Sequence, residues 1–200
     1  TAYLGFGAGR PFSAATVRRA FAQALDHAAL ARDVFPAGSA AATHVTPCEV
    51  PAGCAGLPWY EFNGPAASAA LDLAGLDRST SVPLHVPDRA IPGIPDPATL
   101  AAAIRDGLAE SIDVTVEIDA MPPDDLAALI ADGSIGGLYL GSVASSLADP
   151  SGFLEPLFGG EATATTAAKR IKGVPGALRE AAAITGPAAR EEALATVNDV

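Results

Sequence analysis

Residues 3–35, YLGFGAGRPFSAATVRRAFAQALDHAALARDVF, decide how the rest of the chain is read. The opening TAYLGF is short, apolar and β-prone, and it reads as a buried strand. After the glycine-rich GFGAGR, Ser13 is placed to cap a helix whose apolar positions Val17, Ala20, Phe21, Ala24 and Leu25 recur at helical spacing. Asp26 begins a second capped segment, a short helix from Ala28 to Val34 that FPAGS stops. Two arginines, a phenylalanine and many alanines describe a scaffold helix. Val17, Phe21 and Leu25 are expected to pack on a sheet, the alanines allow close approach, and Arg18 or Arg19 is expected to reach nearby carboxylates or carbonyls.

Outward from this stretch, residues 36–64 are rich in proline and glycine and hold both cysteines. They read as a long surface excursion; a loop that long in a compact domain is usually functional or lies over another domain. From Pro65 the pattern becomes regular. PAASAALDLAGL is a helix ending at Gly75, SVPLHVP a strand, and PDPATLAAAIRDGLAESI a long helix with proline near its start. IDVTVEIDA is the clearest strand, with Val114, Val116 and Ile118 expected on one side and Thr115, Glu117 and Asp119 on the other. PPDDLAALIADG is again a helix, with acids in its first turn, and IGGLYLGSV the next strand. Two short amphipathic helices, separated at Gly186-Pro187, close the chain. This alternation predicts an α/β sheet covered by helices.

The 200 residues, half of them hydrophobic, can bury a substantial single core. Twelve basic against 23 acidic residues give a formal charge of -11. Such a chain repels polyphosphate and anionic bilayers, so nucleic acid is not an expected partner. No apolar run approaches the roughly 18–20 residues that span a bilayer. The chain opens on Thr1 without methionine or a basic-then-apolar leader, so the expectation is a removed leader or a piece of a longer protein.

Enzyme motifs fail residue by residue. GFGAGR offers Gly5, Gly7 and Gly9, but the third glycine of G-x-G-x-x-G falls on Arg10, and Pro11 interrupts before the helix. GSVAS is no nucleophile elbow, because Ser145 stands where the second glycine of G-x-S-x-G belongs, which leaves Ser142 without a nucleophile's setting. His27, His44 and His85 are dispersed and read as surface or hydrogen-bonded residues. Asp124 and Asp125 most simply favour a helix N-terminus. No catalytic residue and no cofactor is expected. Cys48 and Cys54, in TPCEVPAGCAG, are a disulfide candidate in an oxidising compartment, with two ordinary thiols as the alternative. No metal site is expected, since His44 and Glu49 supply too few further ligands.

The opening stretch resembles a segment of the family 5 extracellular solute-binding proteins of ABC transporters, the oligopeptide- and dipeptide-binding type. In that family a strand Y-L-x-F-N precedes P-F-x-D-x-R-V-R-x-A-F-x-x-A-I-D-R. The matching residues are Tyr3, Leu4, Phe6, Pro11, Phe12, Val17, Arg18, Ala20, Phe21, Ala24, Leu25 and Asp26. AATHVTPCEVPAG resembles the family's PATHxxPP loop, LDLAGL its L-L-x-E-A-G helix, and VTVEIDAMPPDDL its next strand-to-helix step. LYLGSVASSLADPSGFLEPLF resembles a strand and following loop that end in D-P-x-x-F-L-x-x-L-F, carried by Asp149, Pro150, Phe153, Leu154, Leu157 and Phe158.

The resemblance implies one lobe, residues 1–200, of a larger two-lobed receptor with a type II periplasmic-binding-protein-like fold of the dipeptide-binding domain 3 type, a mixed sheet flanked by helices. It also implies a periplasmic or extracellular location with a membrane anchor outside this chain, and an ABC permease as partner. The ligand implied is a small solute, a peptide or possibly a sugar or other molecule, held by closure of two lobes. The alternative reading is the ligand-binding part of a sensory or regulatory receptor. Ser142, Ser145, Ser146 and Asp149 are the candidates for lining the cleft. Where peptide-binding members carry an aspartate for the peptide's ammonium group this chain has Ser146, and where they carry a tryptophan it has Val143. A charge left unpaired in a desolvated cleft costs several kcal/mol, so ligand choice is expected to differ at this point.

Overall fold

The first elements form where the apolar spacing places them. In the computed structural model, which describes residues 1–159 and 174–198, β1 (Ala2–Phe6) leads into α1 (Ala15–Gln23) and α2 (His27–Val34). Val17, Ala20 and Phe21 form the buried face of α1. Phe12 and Phe21, both fully buried, meet edge to face with centroids 4.9 Å apart. Ser13 does not cap this helix. The capping position is Ala14, without a side-chain bond, because Phe12 has to reach the core and the chain turns one residue later than its serine suggests. Arg18 consolidates that turn by donating to the carbonyls of Phe12 (2.7 Å) and Ser13 (3.2 Å). Asp26 caps α2 through the Ala29 amide, as expected.

The chain continues through α3 (Gly64–Leu73), β2 (Val82–Pro87), α4 (Pro97–Ile112), β3 (Val116–Met121), α5 (Pro123–Asp132), β4 (Leu138–Ser142), α6 (Ser151–Phe158), α7 (Val174–Ala183) and α8 (Pro187–Asn198). Asn63 and Asp96 cap α3 and α4, each with proline in the following turn. α6 departs from the expected loop. It forms in spite of the interior Pro156 because Phe153, Leu154 and Leu157 bury one face of it.

The strands make one mixed sheet in the order β1-β4-β2-β3, with β2 parallel to both β3 and β4 and β1 antiparallel to β4. Helices cover both faces. On one, α1, α3 and α4 meet Leu84, Val86, Leu138 and Leu140 in the larger core. On the other, α5 packs over Tyr139, while α6, α7 and α8 form a second core that takes in Val143. Residues 36–63 carry no helix or strand, yet they are more than surface: Val45 belongs to the second core, and His44 and Thr46 are buried beside it in the chain. β3 is an edge strand, and its alternation holds only in part. Val114 and Val116 are buried, but Ile118 is 38% exposed, because it borders an open cleft beyond the first turn of α4.

Register between β1 and β4 is set by two reciprocal pairs, Tyr3 opposite Gly141 and Gly5 opposite Tyr139. Each tyrosine ring lies on the glycine across from it, where a Cβ would overlap ring atoms. The two rings also meet edge to face, centroids 6.4 Å apart. Gly141→Ala therefore should lower stability by about 1–3 kcal/mol through overpacking. Gly136→Ala, where no atom stands within 4 Å of the new methyl, should change it by less than about 0.5 kcal/mol. Urea denaturation of both variants checks this; equal losses would remove the role given to the ring.

Candidate functional site

Because β2 runs parallel to β3 and β4, the carboxyl ends of all three strands lie at one end of the sheet. In open α/β sheets this is where ligands bind, since the loops leaving those ends diverge to opposite faces and leave a crevice. Here the loops are 143–150 after β4 and 88–96 after β2. They touch: Gly93, at φ 83°, comes so close to Ser142 that a Cβ on it would stand 3.3 Å from the serine's Cβ. Beside this contact lies an open cleft of about 350 Å³, bordered by Val86, Asp88, Arg89, Asp96 and Ile118. Asp88 and Arg89 are paired with each other at 3.2 Å and both stay accessible.

The four residues expected from sequence lie on this ledge in different roles. Ser142 ends β4 and faces the 88–96 loop. Ser145 is half-buried, and its hydroxyl accepts from the Leu147 amide at 3.0 Å, which bends the loop. That bend leaves Ser146 exposed and Leu147 62% exposed at the tip. Val143 points the other way, into the second core, so it anchors the loop.

Asp149 is engaged within the fold. Its Oδ1 accepts from the Ser151 amide (2.9 Å), the Ser151 hydroxyl (2.5 Å) and an Arg190 guanidinium N–H (2.9 Å). It thus holds the first turn of α6 and ties it to α8. Burial alone would raise this carboxyl; the hydrogen bonds from Ser151 and the Arg190 charge outweigh it and hold the group below the usual aspartate range. The sequence reading missed the 88–96 loop. Its signal was there, since Pro92, Gly93 and Pro95 follow directly on a strand end.

The three histidines stay apart. His27 starts α2, His85 pairs with Asp119 across β2 and β3 at 2.9 Å, and His44 is buried in the 36–63 segment. Asp124 and Asp125 occupy the first turn of α5, where their charge suits the helix dipole. Cys48 and Cys54 are joined, with Cα atoms 4.9 Å apart.

A depressed Asp149 binds fewer protons in the folded than in the unfolded chain. Its stabilising contribution should be complete above about pH 4 and should vanish as pH falls through the lower folded value. The stability difference between wild type and Asp149→Asn, followed by urea denaturation from pH 6 to pH 2, should shrink over that window. A difference independent of pH would show that the carboxylate charge is not what holds α6 to α8.

Known proteins place this geometry. The family model for bacterial extracellular solute-binding proteins, family 5 Middle, matches residues 1–165. HbpA2 from Haemophilus parasuis superposes with a TM-score of 0.87 at 26% identity, over 98% of this chain and 39% of that one. A dipeptide binding protein from Pseudoalteromonas sp. SM9913, in complex with Met-Leu, gives 0.88 at 20% identity over 98% of this chain and 39% of that one. The Escherichia coli murein tripeptide binding protein MppA gives 0.83 at 18% over 99% and 39%. No curated protein matches by sequence. The chain thus spans 39% of the length of these three structures, and its mixed α/β sheet is the fold of periplasmic binding proteins. By the match over residues 1–165, the chain belongs to the family 5 bacterial extracellular solute-binding proteins.

Proposed function

We propose that this chain is one lobe of the solute-binding component of an ABC importer, working in the periplasm or outside the cell and held at the membrane by a segment beyond these residues. The observation that carries this reading is the ledge at the carboxyl ends of β2, β3 and β4, in a chain whose residues 1–165 match the family model. A solute resting on Ser142, Ser145, Ser146 and the 88–96 loop is open on its other side, so a second lobe has to close over it. Closure then follows from contacts to both lobes, which favour the closed state over the open one. The partner is the permease that receives the solute.

Peptides or related small solutes are the ligand class, in line with the Met-Leu complex of the dipeptide binding protein. The loop itself argues for an uncharged group at this end of the ligand. Asp149 is the only acid between Ser142 and Pro150, and its Oδ1 is taken by Ser151 and Arg190. An ammonium bound against the 142–148 stretch would meet hydroxyls and no carboxylate of that stretch, and hydroxyls do not offset the desolvation of a charge.

Native mass spectrometry of the full-length gene product, purified without refolding, should show a discrete extra mass that leaves on denaturation. A protein that stays bare after incubation with mixed peptides would overturn the importer reading. In the same protein, Ser146→Asp should raise affinity for peptides with a free terminal amine by about tenfold over their N-acetylated forms, close to 1.4 kcal/mol. Calorimetric titration with such peptide pairs reads this, and an unchanged ratio would move the amine away from the Ser146 loop.

A further inference from the structure

Away from the ledge, the 36–63 segment brings four polar side-chain atoms to one point. His44 is 5% exposed, and its imidazole and the sulfurs of Cys48 and Cys54 have ligand atoms all within 4.8 Å of one another. Thr43 Oγ1 stands between them, 3.0 Å from His44 Nδ1 and 3.7 Å from each sulfur. The other ring nitrogen, Nε2, lies 3.4 Å from the Gly56 carbonyl. A carbonyl can only accept, so Nε2 carries the hydrogen and Nδ1 turns its lone pair toward the threonine and the sulfurs. A backbone carbonyl that fixes the tautomer of a buried histidine in this way is the usual outer support of a metal-bound imidazole.

We propose that the reduced form of this loop is a binding site for a borderline-soft divalent cation of the zinc class, with His44 Nδ1 and the thiolates of Cys48 and Cys54 as ligands and Thr43 Oγ1 or a solvent oxygen as the fourth. Zinc–sulfur and zinc–nitrogen bonds of about 2.3 and 2.0–2.1 Å put tetrahedral ligand atoms about 3.5–3.8 Å apart, close to the spacing already found between Thr43 Oγ1 and each sulfur. The two sulfurs have to separate, and the imidazole, within 4.8 Å of both, has to settle at bonding distance.

The backbone that carries them is held independently of their bond. Val50 N donates to Pro47 O, Gly53 N to Val50 O and Ala55 N to Ala52 O, in three successive turns, and Val50 and Ala52 pack on the second core. In the joined state the pair is a staple. A reductant of the dithiol class supplies two electrons and two protons, leaving as its own disulfide, and both sulfurs become thiols. Metal binding then releases those two protons to solvent, forms two metal–sulfur bonds and draws on the Nδ1 lone pair. The site therefore responds to redox state: the joined loop has no thiolate to offer.

The test uses the full chain, reduced with a dithiol and desalted without oxygen, then titrated with cobalt(II) and zinc. The reduced protein should bind one cobalt with sulfur-to-cobalt charge-transfer absorption, displaced by zinc, while the oxidised protein shows none. His44→Ala and His44→Gln, each with unchanged far-ultraviolet circular dichroism, should bind zinc at least about tenfold more weakly and lose the tetrahedral visible bands. The proposal is overturned if the folded, reduced protein takes up no cobalt. It is equally overturned if both variants keep the wild-type spectrum and affinity, or if cobalt binds only once the circular dichroism of the fold is lost.

Discussion

Two tyrosine rings laid on two glycines across the β1–β4 pair decide where β4 runs, and the site follows from that. Tyr3 needs Gly141 and Tyr139 needs Gly5; a one-residue slip would turn one strand's side chains to the opposite face and part each ring from its glycine, and a two-residue slip in one direction would set Tyr3 directly against Tyr139. With β4 fixed, its even-numbered residues Leu138 and Leu140 enter the larger core and Tyr139 and Val143 face the other way. The same alternation brings Ser142 to the sheet's carboxyl end against Gly93.

The loop that follows β4 is fixed at both ends and open in the middle. Val143 is buried at one end, and Asp149, bound to Ser151 and Arg190, closes the other. Between them the Ser145 hydroxyl holds a bend that presents Ser146 and Leu147 outward. A loop held in this way has its shape already set, which in the proposed receptor would lower the entropy lost on binding. The one acid of the loop has its Oδ1 committed to Ser151 and Arg190.

Much of the architecture was legible because the apolar spacing is regular. The helices at 15–23, 27–34, 64–73, 97–112 and 123–132, and all four strands, fall where periodicity, capping residues and prolines place them. The misreadings share one cause, tertiary contact overriding a local signal. Ser13 is displaced from the cap by the burial of Phe12. The stretch after Pro150, expected as loop, forms α6 because Phe153, Leu154 and Leu157 bury one face of it. The 36–63 segment looks like surface from its prolines and glycines, but Val45 has a core to enter.

The sequence by itself determined most of the helices, the strands and the alternation that makes an α/β sheet. It did so because those features are local. Only the tertiary structure decided that the 88–96 loop meets Ser142, that Asp149 is committed to Ser151 and Arg190, and that His44 and Thr43 converge on Cys48 and Cys54. Even these short-range neighbours depend on how turns orient side chains, and Asp149 and Arg190 lie 41 residues apart. No spacing rule carries that information, because it is the packing of α6 to α8 against one end of the sheet that brings those two charges together.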